Sequence, residues 1–137
     1  MSDPPLRVAG PTFRLVCLPA ALGEAPPRWA MLGEGELALL PGDGGLEDVA
    51  EIAHRLDLVS IELLRGEASA TAQEDTVITF AGTLPLVWVA PEFSPRARGW
   101  AERRGAMTLL VEARGALPGE ELRRIERFVA SLGRQSE

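Results

Sequence analysis

The amino-acid sequence predicts an α/β domain with a mixed, mostly parallel central sheet flanked by helices. From residue 58 onward, short apolar runs alternate with amphipathic segments in the order strand, helix, strand, helix, strand, helix. The run LVWVA at residues 86–90 is continuously apolar, as is typical of a parallel strand covered on both faces. The length of 137 residues suits one domain with its own core. We therefore expect residues 1–137 to form a single domain, with residues 58–133 as its alternating strand and helix core.

The first third of the chain contains two candidate strands. Residues 1–10 include two adjacent prolines, and we expect them to be flexible. The apolar run FRLVCL at residues 13–18 predicts a buried strand, and ELALL at residues 36–40 predicts a second one. Glycine and proline at residues 41–45 predict a turn after it. Residues 1–45 are therefore either an added β-layer or the first strands of the core sheet.

The middle of the chain reads as helix, strand, helix. Residues 46–56 carry apolar side chains at helical spacing, whereas LVSIELL at residues 58–64 is apolar and partly β-branched, which predicts a strand. Residues 68–84 are ambiguous, because the run TVITF within them favours a strand by propensity. The apolar residues between 77 and 84 nevertheless recur at helical intervals, so we predict a helix.

The last third of the chain has the clearest boundary signals. After the strand at residues 86–90, Ser94 and Pro95 have the pattern of an N-cap followed by proline at the first helical position. Gly105 is expected to end that helix. The run MTLLV at residues 107–111 predicts a further strand, and a final amphipathic helix is expected to start near Pro118.

Composition disfavours several classes of function. The formal net charge is -6, whereas nucleic-acid binders usually carry a basic surface that neutralises phosphates. All 14 basic residues are arginine, so no lysine side chain is present to act as a base, a Schiff-base nucleophile or a phosphate clamp. Tyrosine is absent as well.

The sequence also predicts the cellular compartment. Cys17 is the one cysteine and lies in an apolar run, so we expect a buried structural thiol. We identify no signal segment and no apolar run long enough to cross a bilayer. We therefore expect a cytoplasmic protein that does not act at a membrane.

Two short stretches resemble a known family of nucleases. The stretch IELLRGEA at residues 61–68 resembles the strand that reads IE-x-K-R-G-x-A in that family, and VWVAPEFSPRAR at residues 87–98 is similar to its later strand and helix. The family is the restriction-endonuclease-like superfamily, in its Mrr-like or mismatch-endonuclease-like branches. The resemblance covers residues 57–112. It implies a restriction-endonuclease-like core and a divalent metal that activates water for phosphodiester cleavage.

The catalytic residues that the resemblance implies are incomplete in this chain. Glu62 corresponds to the glutamate of the family, but Leu64 stands where the family has its lysine. Strand alternation points Arg65 to the opposite face. The upstream metal-binding acid would be Glu36 or Asp43, if the helix at residues 46–56 is an insertion between the two strands, or Asp57, which is the nearest acid in sequence. The resemblance therefore implies a degenerate nuclease core that binds Mg²⁺ or Mn²⁺ only if it is active. The simpler alternative for Glu62 is a partner for an arginine, or exposure at a strand end.

A basic cluster on the predicted helix at residues 95–104 is the second candidate site. It comprises Arg96, Arg98, Arg103 and Arg104, which could bind phosphates or an acidic partner. A solvated helix face is the simpler explanation. We further expect Trp88 and Trp100 to pack against each other between strand and helix, and His54 to be a solvated helix residue.

Three hypotheses about function follow, in this order of preference. The first is a non-catalytic, nuclease-like module that needs no cofactor and binds a protein partner or forms a homo-oligomer. The second is a metal-dependent DNA nuclease that uses Glu62 without the lysine. The third is a DNA-binding domain that does not cleave, with binding through the four arginines of the basic cluster, although the net charge opposes it.

Overall fold

The computed structural model describes residues 12–18, 21, 35–40 and 62–135. Within them, five strands form one sheet, and three α-helices follow the last three strands. The strands are β1 (Phe13–Cys17), β2 (Gly35–Leu39), β3 (Glu62–Leu63), β4 (Leu86–Ala90) and β5 (Thr108–Glu112). The helices are α1 (Ala70–Ala81), α2 (Pro95–Arg104) and α3 (Gly119–Gln135), with a 3-10 turn at Gly105–Met107 between α2 and β5.

The sheet has the strand order β3-β2-β1-β4-β5, and each of its pairings is parallel. In the register, Leu15 of β1 lies between Leu37 of β2 and Val87 of β4. This confirms the predicted α/β class with its mostly parallel sheet. It also decides between the two alternatives for residues 1–45, because β1 and β2 belong to the core sheet and β1 is its central strand.

Local signals determine the helix boundaries. The ambiguous segment 68–84 forms helix α1, as predicted from its spacing, and the Ser69 hydroxyl accepts a hydrogen bond from the amide of Ala72 as the N-cap. The helix ends at Gly82, whose φ of 55° is a left-handed conformation that favours glycine. At α2, the predicted cap at Ser94 and the predicted stop at Gly105 are both confirmed.

The two faces of the sheet form two separate layers of core. On one face, α3 packs its apolar stripe against β1, β2, β4 and β5. On the other face, α1 and α2 cover the remaining side chains of the same strands. The α3 face includes Leu15, Leu39, Val87, Val89, Val111 and Ile125, and the α1/α2 face includes Val16, Ala38, Leu40, Val77, Trp88 and Ala97.

Some predictions concern residues outside the described ranges. These are the flexibility of residues 1–10, the turn at 41–45, the helix at 46–56 and the beginning of the strand at 58–64. The part of that strand which the structure describes is β3. The residues Asp43, His54 and Asp57 also lie outside the described ranges. In the part of the chain that the structure describes, no helix has the length and apolar character needed to span a membrane.

Candidate functional site

The two described carboxylates proposed as metal ligands lie on adjacent strands. Glu62 is exposed on β3, and its register partner on β2 is Ala38. Glu36 is two residues before Ala38 and so projects from the same face, with its Cα about 8 Å from that of Glu62 by strand geometry. Glu36 is engaged, because its Oε1 accepts a hydrogen bond of 2.9 Å from Nε of Arg14. Among the described residues, no three His, Cys, Asp or Glu side chains group to hold a metal ion.

Arg14 also joins the sheet to the end of α1. Its guanidinium lies 4.5 Å from the centre of the Phe80 ring and donates a hydrogen bond to the Phe80 carbonyl. Its side chain is one quarter exposed, so the pair with Glu36 is partly shielded from water. This arrangement explains Glu36 as a structural partner of Arg14, while the metal hypothesis for Glu62 stays a prediction.

Arg96 of the predicted basic cluster is directed toward α1. Its Nη2 lies 2.8 Å from Oδ1 of Asp75 and 3.9 Å from Oε1 of Glu74, and donates to the Thr71 carbonyl at 3.3 Å. Arg96 therefore connects the two helices of this face, and its charge is compensated within the protein.

The other arginines of the cluster diverge. Arg98 forms an ion pair with Glu112 on β5. Arg104 packs 4.8 Å from the centre of the Trp100 ring, and burial lowers the pKa of its guanidinium. Arg103 is exposed. The four arginines thus have separate environments rather than one continuous basic stripe.

A cleft opens at the carboxyl ends of the parallel strands on the α1/α2 face. Its volume is about 460 Å³. It lies beside β1, which is the reversal point of the strand order. β2 and β3 lie on one side of β1, and β4 and β5 lie on the other. The lining residues are Leu18, Leu40, Ala70, Gln73, Glu74, Val77, Trp88, Ala90, Pro91, Glu92, Phe93 and Ser94.

The wall formed by β4 and the segment after it is aromatic. Trp88 packs edge-to-face against Phe93, with ring centroids 5.1 Å apart and an interplanar angle of 80°. The Trp88 ring also packs edge-to-face against Trp100 at 6.2 Å and 79°, which confirms the predicted contact between the two tryptophans. The aromatic rings of this wall thus pack against one another and present apolar surface.

The opposite wall contributes a carboxylate from α1. Oε2 of Glu74 accepts a hydrogen bond of 3.0 Å from the amide of Ser94, and its Oε1 accepts one of 2.5 Å from the Ser94 hydroxyl. The hydroxyl itself accepts from the amide of Ala97, as the N-cap of α2. The Glu74 side chain is 12% exposed. Glu74 therefore ties the beginning of α2 to α1 and faces the cleft with a negative charge.

The remaining polar side chains of the cleft differ in their availability. Gln73 accepts a hydrogen bond of 3.0 Å from the Glu67 amide and donates one of 3.0 Å to the Arg65 carbonyl. Its amide is thus used to hold the segment before α1. Glu92 is exposed at the rim.

A shallower depression on the outer side of α1 is polar. It has a volume of about 360 Å³ and includes Arg65, Glu67 and Thr76. Hydrogen bonds from Thr76 at 2.6 Å and Arg65 at 2.9 Å lower the pKa of the Glu67 carboxyl. These groups satisfy one another, so the depression is a weaker candidate than the cleft.

Cys17 lies on the opposite face of the sheet and takes no part in the cleft. It is fully buried, as predicted, and burial raises the pKa of its thiol to about 12. A thiol with so little thiolate is a poor nucleophile.

Among the described residues, none of the predicted site residues lines the cleft. The sequence signal that could have identified the cleft is the position of residues 90–94 directly after the most apolar strand, since loops at the carboxyl ends of parallel strands carry ligand sites. No family model, no curated protein and no solved structure matches this chain.

Proposed function

We propose that this protein binds a small, largely apolar ligand in the cleft between α1 and residues 90–94. The observation that carries the proposal is the position of a mostly apolar cleft of about 460 Å³ at the reversal point of a parallel sheet. In open α/β sheets, ligands bind at this point, outside the carboxyl ends of the strands. The volume lies within the range of small-molecule pockets.

The chemistry around the cleft argues against a nucleotide. Dinucleotide sites place a glycine-rich turn after the first strand, whereas β1 is followed here by Leu18, Pro19 and Ala20. The chain has no lysine, and none of the described lining residues is basic. Phosphate groups would therefore meet carboxylates rather than cations at this site.

The proposal differs from the three hypotheses based on sequence, which stay predictions. A protein-interaction module would bind a macromolecule with no need for the cleft. A nuclease would lose activity in Glu62→Gln, and a DNA-binding domain would show strongly salt-dependent binding through the basic cluster. None of these outcomes depends on Ala70 or Trp88, so the cleft can be tested separately.

The test is to fill the cleft from its rim. Ala70 is exposed at the first position of α1 and lines the cleft. We expect Ala70→Trp to fold normally and to obstruct ligand entry. Ala130→Trp is the matched control, because Ala130 is an exposed helical alanine on α3, on the opposite face of the sheet.

Binding is measured by NMR with ¹⁵N-labelled protein and a set of neutral, cationic and anionic aromatic fragments. We expect fragments to shift the Trp88 indole and the amides of residues 90–94, with Kd on the order of 1 mM for about ten non-hydrogen atoms. Ala70→Trp abolishes these shifts, and Ala130→Trp leaves them unchanged. Shifts that are scattered over the surface, or that survive in Ala70→Trp, would refute the proposal.

A further inference from the structure

We infer that the ligand of the cleft is a hydrophobic amine, whose cationic group contacts Glu74 and Glu92. This inference rests on the proposed function and specifies the chemical class of the ligand. It follows from the sign of the charges in the cleft, from the hydrogen-bonding capacity that remains unused there, and from the apolar character of the wall.

The charged side chains among the described lining residues of the cleft are both acidic. They are Glu74 and Glu92, and within the part of the chain that the structure describes the lining includes no arginine or histidine. Two described cations lie near the lining residues: Arg98 is 5.7 Å from the centre of the Phe93 ring and pairs with Glu112, and Nη2 of Arg96 is 2.8 Å from Asp75 and 3.9 Å from Glu74. Asp75 is therefore the closer partner of Arg96, and the Glu74 carboxylate keeps most of its effect on the cleft.

Most of the unused hydrogen-bonding capacity of the described lining side chains consists of acceptors. The Gln73 amide accepts one hydrogen bond from the segment before α1 and donates one to it, which leaves one N–H, and the Ser94 hydroxyl donates to Glu74 while it accepts from Ala97. Nε1 of Trp88 is enclosed by protein atoms, so it does not face the cleft. Each carboxylate oxygen has two lone pairs, and Ser94 uses one on each oxygen of Glu74. A polar group that donates hydrogen bonds therefore has more possible partners here than one that accepts them.

Two helix starts flank the cleft, and their positive ends oppose this inference. Each is equivalent to about half an elementary charge. At α2, Glu74 already accepts the amide of Ser94 and so compensates that end. At α1, the first turn contains no acidic residue. The start of α1 thus contributes one partial positive charge, whereas Glu74 and Glu92 contribute two full negative charges. Because the Glu74 side chain is little exposed, water screens its charge weakly. The balance favours a cation.

The apolar walls of the cleft indicate the chemical character of the uncharged part of the ligand. Leu18, Leu40 and Val77 form one side, and Trp88 and Phe93 form the aromatic side. Apolar and aromatic surfaces of this kind bury an aromatic or branched aliphatic group. A small polyamine without an apolar body would leave these walls unused.

The experiment compares three probes that share a phenyl ring on a short chain. They are 3-phenylpropylamine, 3-phenylpropan-1-ol and 3-phenylpropionate, titrated into the full-length protein at pH 7 and low salt with NMR detection at the cleft signals. We expect the amine to bind about tenfold more tightly than the alcohol, because hydrogen bonds between charged groups are stronger than neutral ones. The carboxylate is expected to bind more weakly than the alcohol, since it is repelled by both glutamates.

Glu92→Gln identifies the source of the preference. Glu92 is exposed and forms no hydrogen bond or ion pair in the described part of the chain, so its replacement removes charge without altering the fold. We expect it to weaken amine binding several-fold and to leave alcohol binding unchanged. Glu120→Gln, at an exposed position on α3, is the matched control for the change of net charge. Glu74→Gln is the second variant, with a folded spectrum as the condition for its interpretation.

The outcomes separate the two proposals. An amine preference that Glu92→Gln reduces and Glu120→Gln preserves supports the inference. Equal binding of all three probes, blocked by Ala70→Trp, would overturn the amine inference and leave the proposed function standing. If none of the probes or the wider fragment set shifts the cleft signals, the proposed function fails, and the inference fails with it.

Discussion

The two faces of the sheet are formed by the same strands but differ in the helices that cover them. On the α3 face, the side chains of Leu15, Leu39 and Val87 are completely buried beneath a single long helix. On the α1/α2 face, two shorter helices begin on either side of the cleft, and Leu40 and Phe93 keep 8% of their surface accessible. The proposed ligand site thus lies on the α1/α2 face, where the described residues leave space at the strand ends, and Leu15, Leu39 and Val87 lie on the opposite face of the sheet.

The largest expected difference between the faces comes from two adjacent leucines. Leu39 is buried on the α3 face, whereas Leu40 lines the cleft. We expect Leu39→Ala to reduce the free energy of unfolding by about 4 kcal/mol, since it leaves a cavity among packed side chains. Leu40→Ala is expected to cost about 2 kcal/mol, because one side of Leu40 already lacks contacting atoms.

Urea denaturation of both variants measures this difference. The substitutions are chemically identical and neighbour each other in sequence, so each serves as the control for the other. Equal losses of stability would contradict the view that the α1/α2 face is incompletely packed at the strand ends.

The buried thiol on the α3 face provides the next prediction. Burial raises the pKa of Cys17 to about 12 from its ordinary value of 9.0. The unfolded chain releases this proton at a lower pH than the folded one, so the stability contributed below pH 9 is lost as the pH rises toward 12. We expect a loss of about 2 kcal/mol between pH 8.5 and pH 10.5.

The absence of lysine and tyrosine makes this prediction unusually specific, since no other type of side chain in the chain ordinarily titrates in that interval. We expect Cys17→Ala to lower stability at neutral pH and to remove the alkaline decline. Denaturant midpoints at several pH values measure the effect, and an equally steep decline in Cys17→Ala would disprove it.

The smallest expected effects come from two glycines. A Cβ on Gly35 would lie 2.3 Å from Cζ of Phe13, which is enclosed in the α3-face core, so Gly35→Ala should cost about 1 to 2 kcal/mol. A Cβ on Gly99 of α2 would lie 3.6 Å from Nη1 of Arg103, which is an ordinary contact distance. Gly99→Ala is therefore expected to stabilise the protein by about 0.5 kcal/mol. Thermal unfolding distinguishes the two, and a stabilising Gly35→Ala would show that the α3 face has room to spare.

The elements that the sequence predicts correctly are those with local signals. Ser94, Pro95 and Gly105 mark α2 without reference to any other part of the chain, and the continuous apolar run of β4 indicates burial on both faces. The central position of β1 has no local signal, because strand order depends on pairings between distant segments. Sequence therefore predicts the class of the fold and most element boundaries, but not the arrangement of the strands.

The cleft was not predicted for the same reason. Its walls come from the ends of β1, β2 and β4 and from the beginning of α1, which meet only in the folded sheet. Glu74 has the local pattern of an ordinary helical residue, and its contact with Ser94 joins two helices. The sequence places four arginines on one helix, and in the fold Arg96, Arg98 and Arg104 have separate contacts, while binding through this cluster stays a prediction.

The central position of β1 also has a consequence for the way in which the chain assembles. β1 ends at Cys17, yet one of its two neighbours in the sheet, β4, begins only at Leu86. During synthesis, the second edge of β1 can therefore pair with β4 only after most of the chain has emerged. Pairings between such distant segments form slowly, and until then the backbone N–H and C=O groups along one edge of β1 stay unpaired. We therefore expect the nascent chain to be prone to aggregation before β4 has emerged.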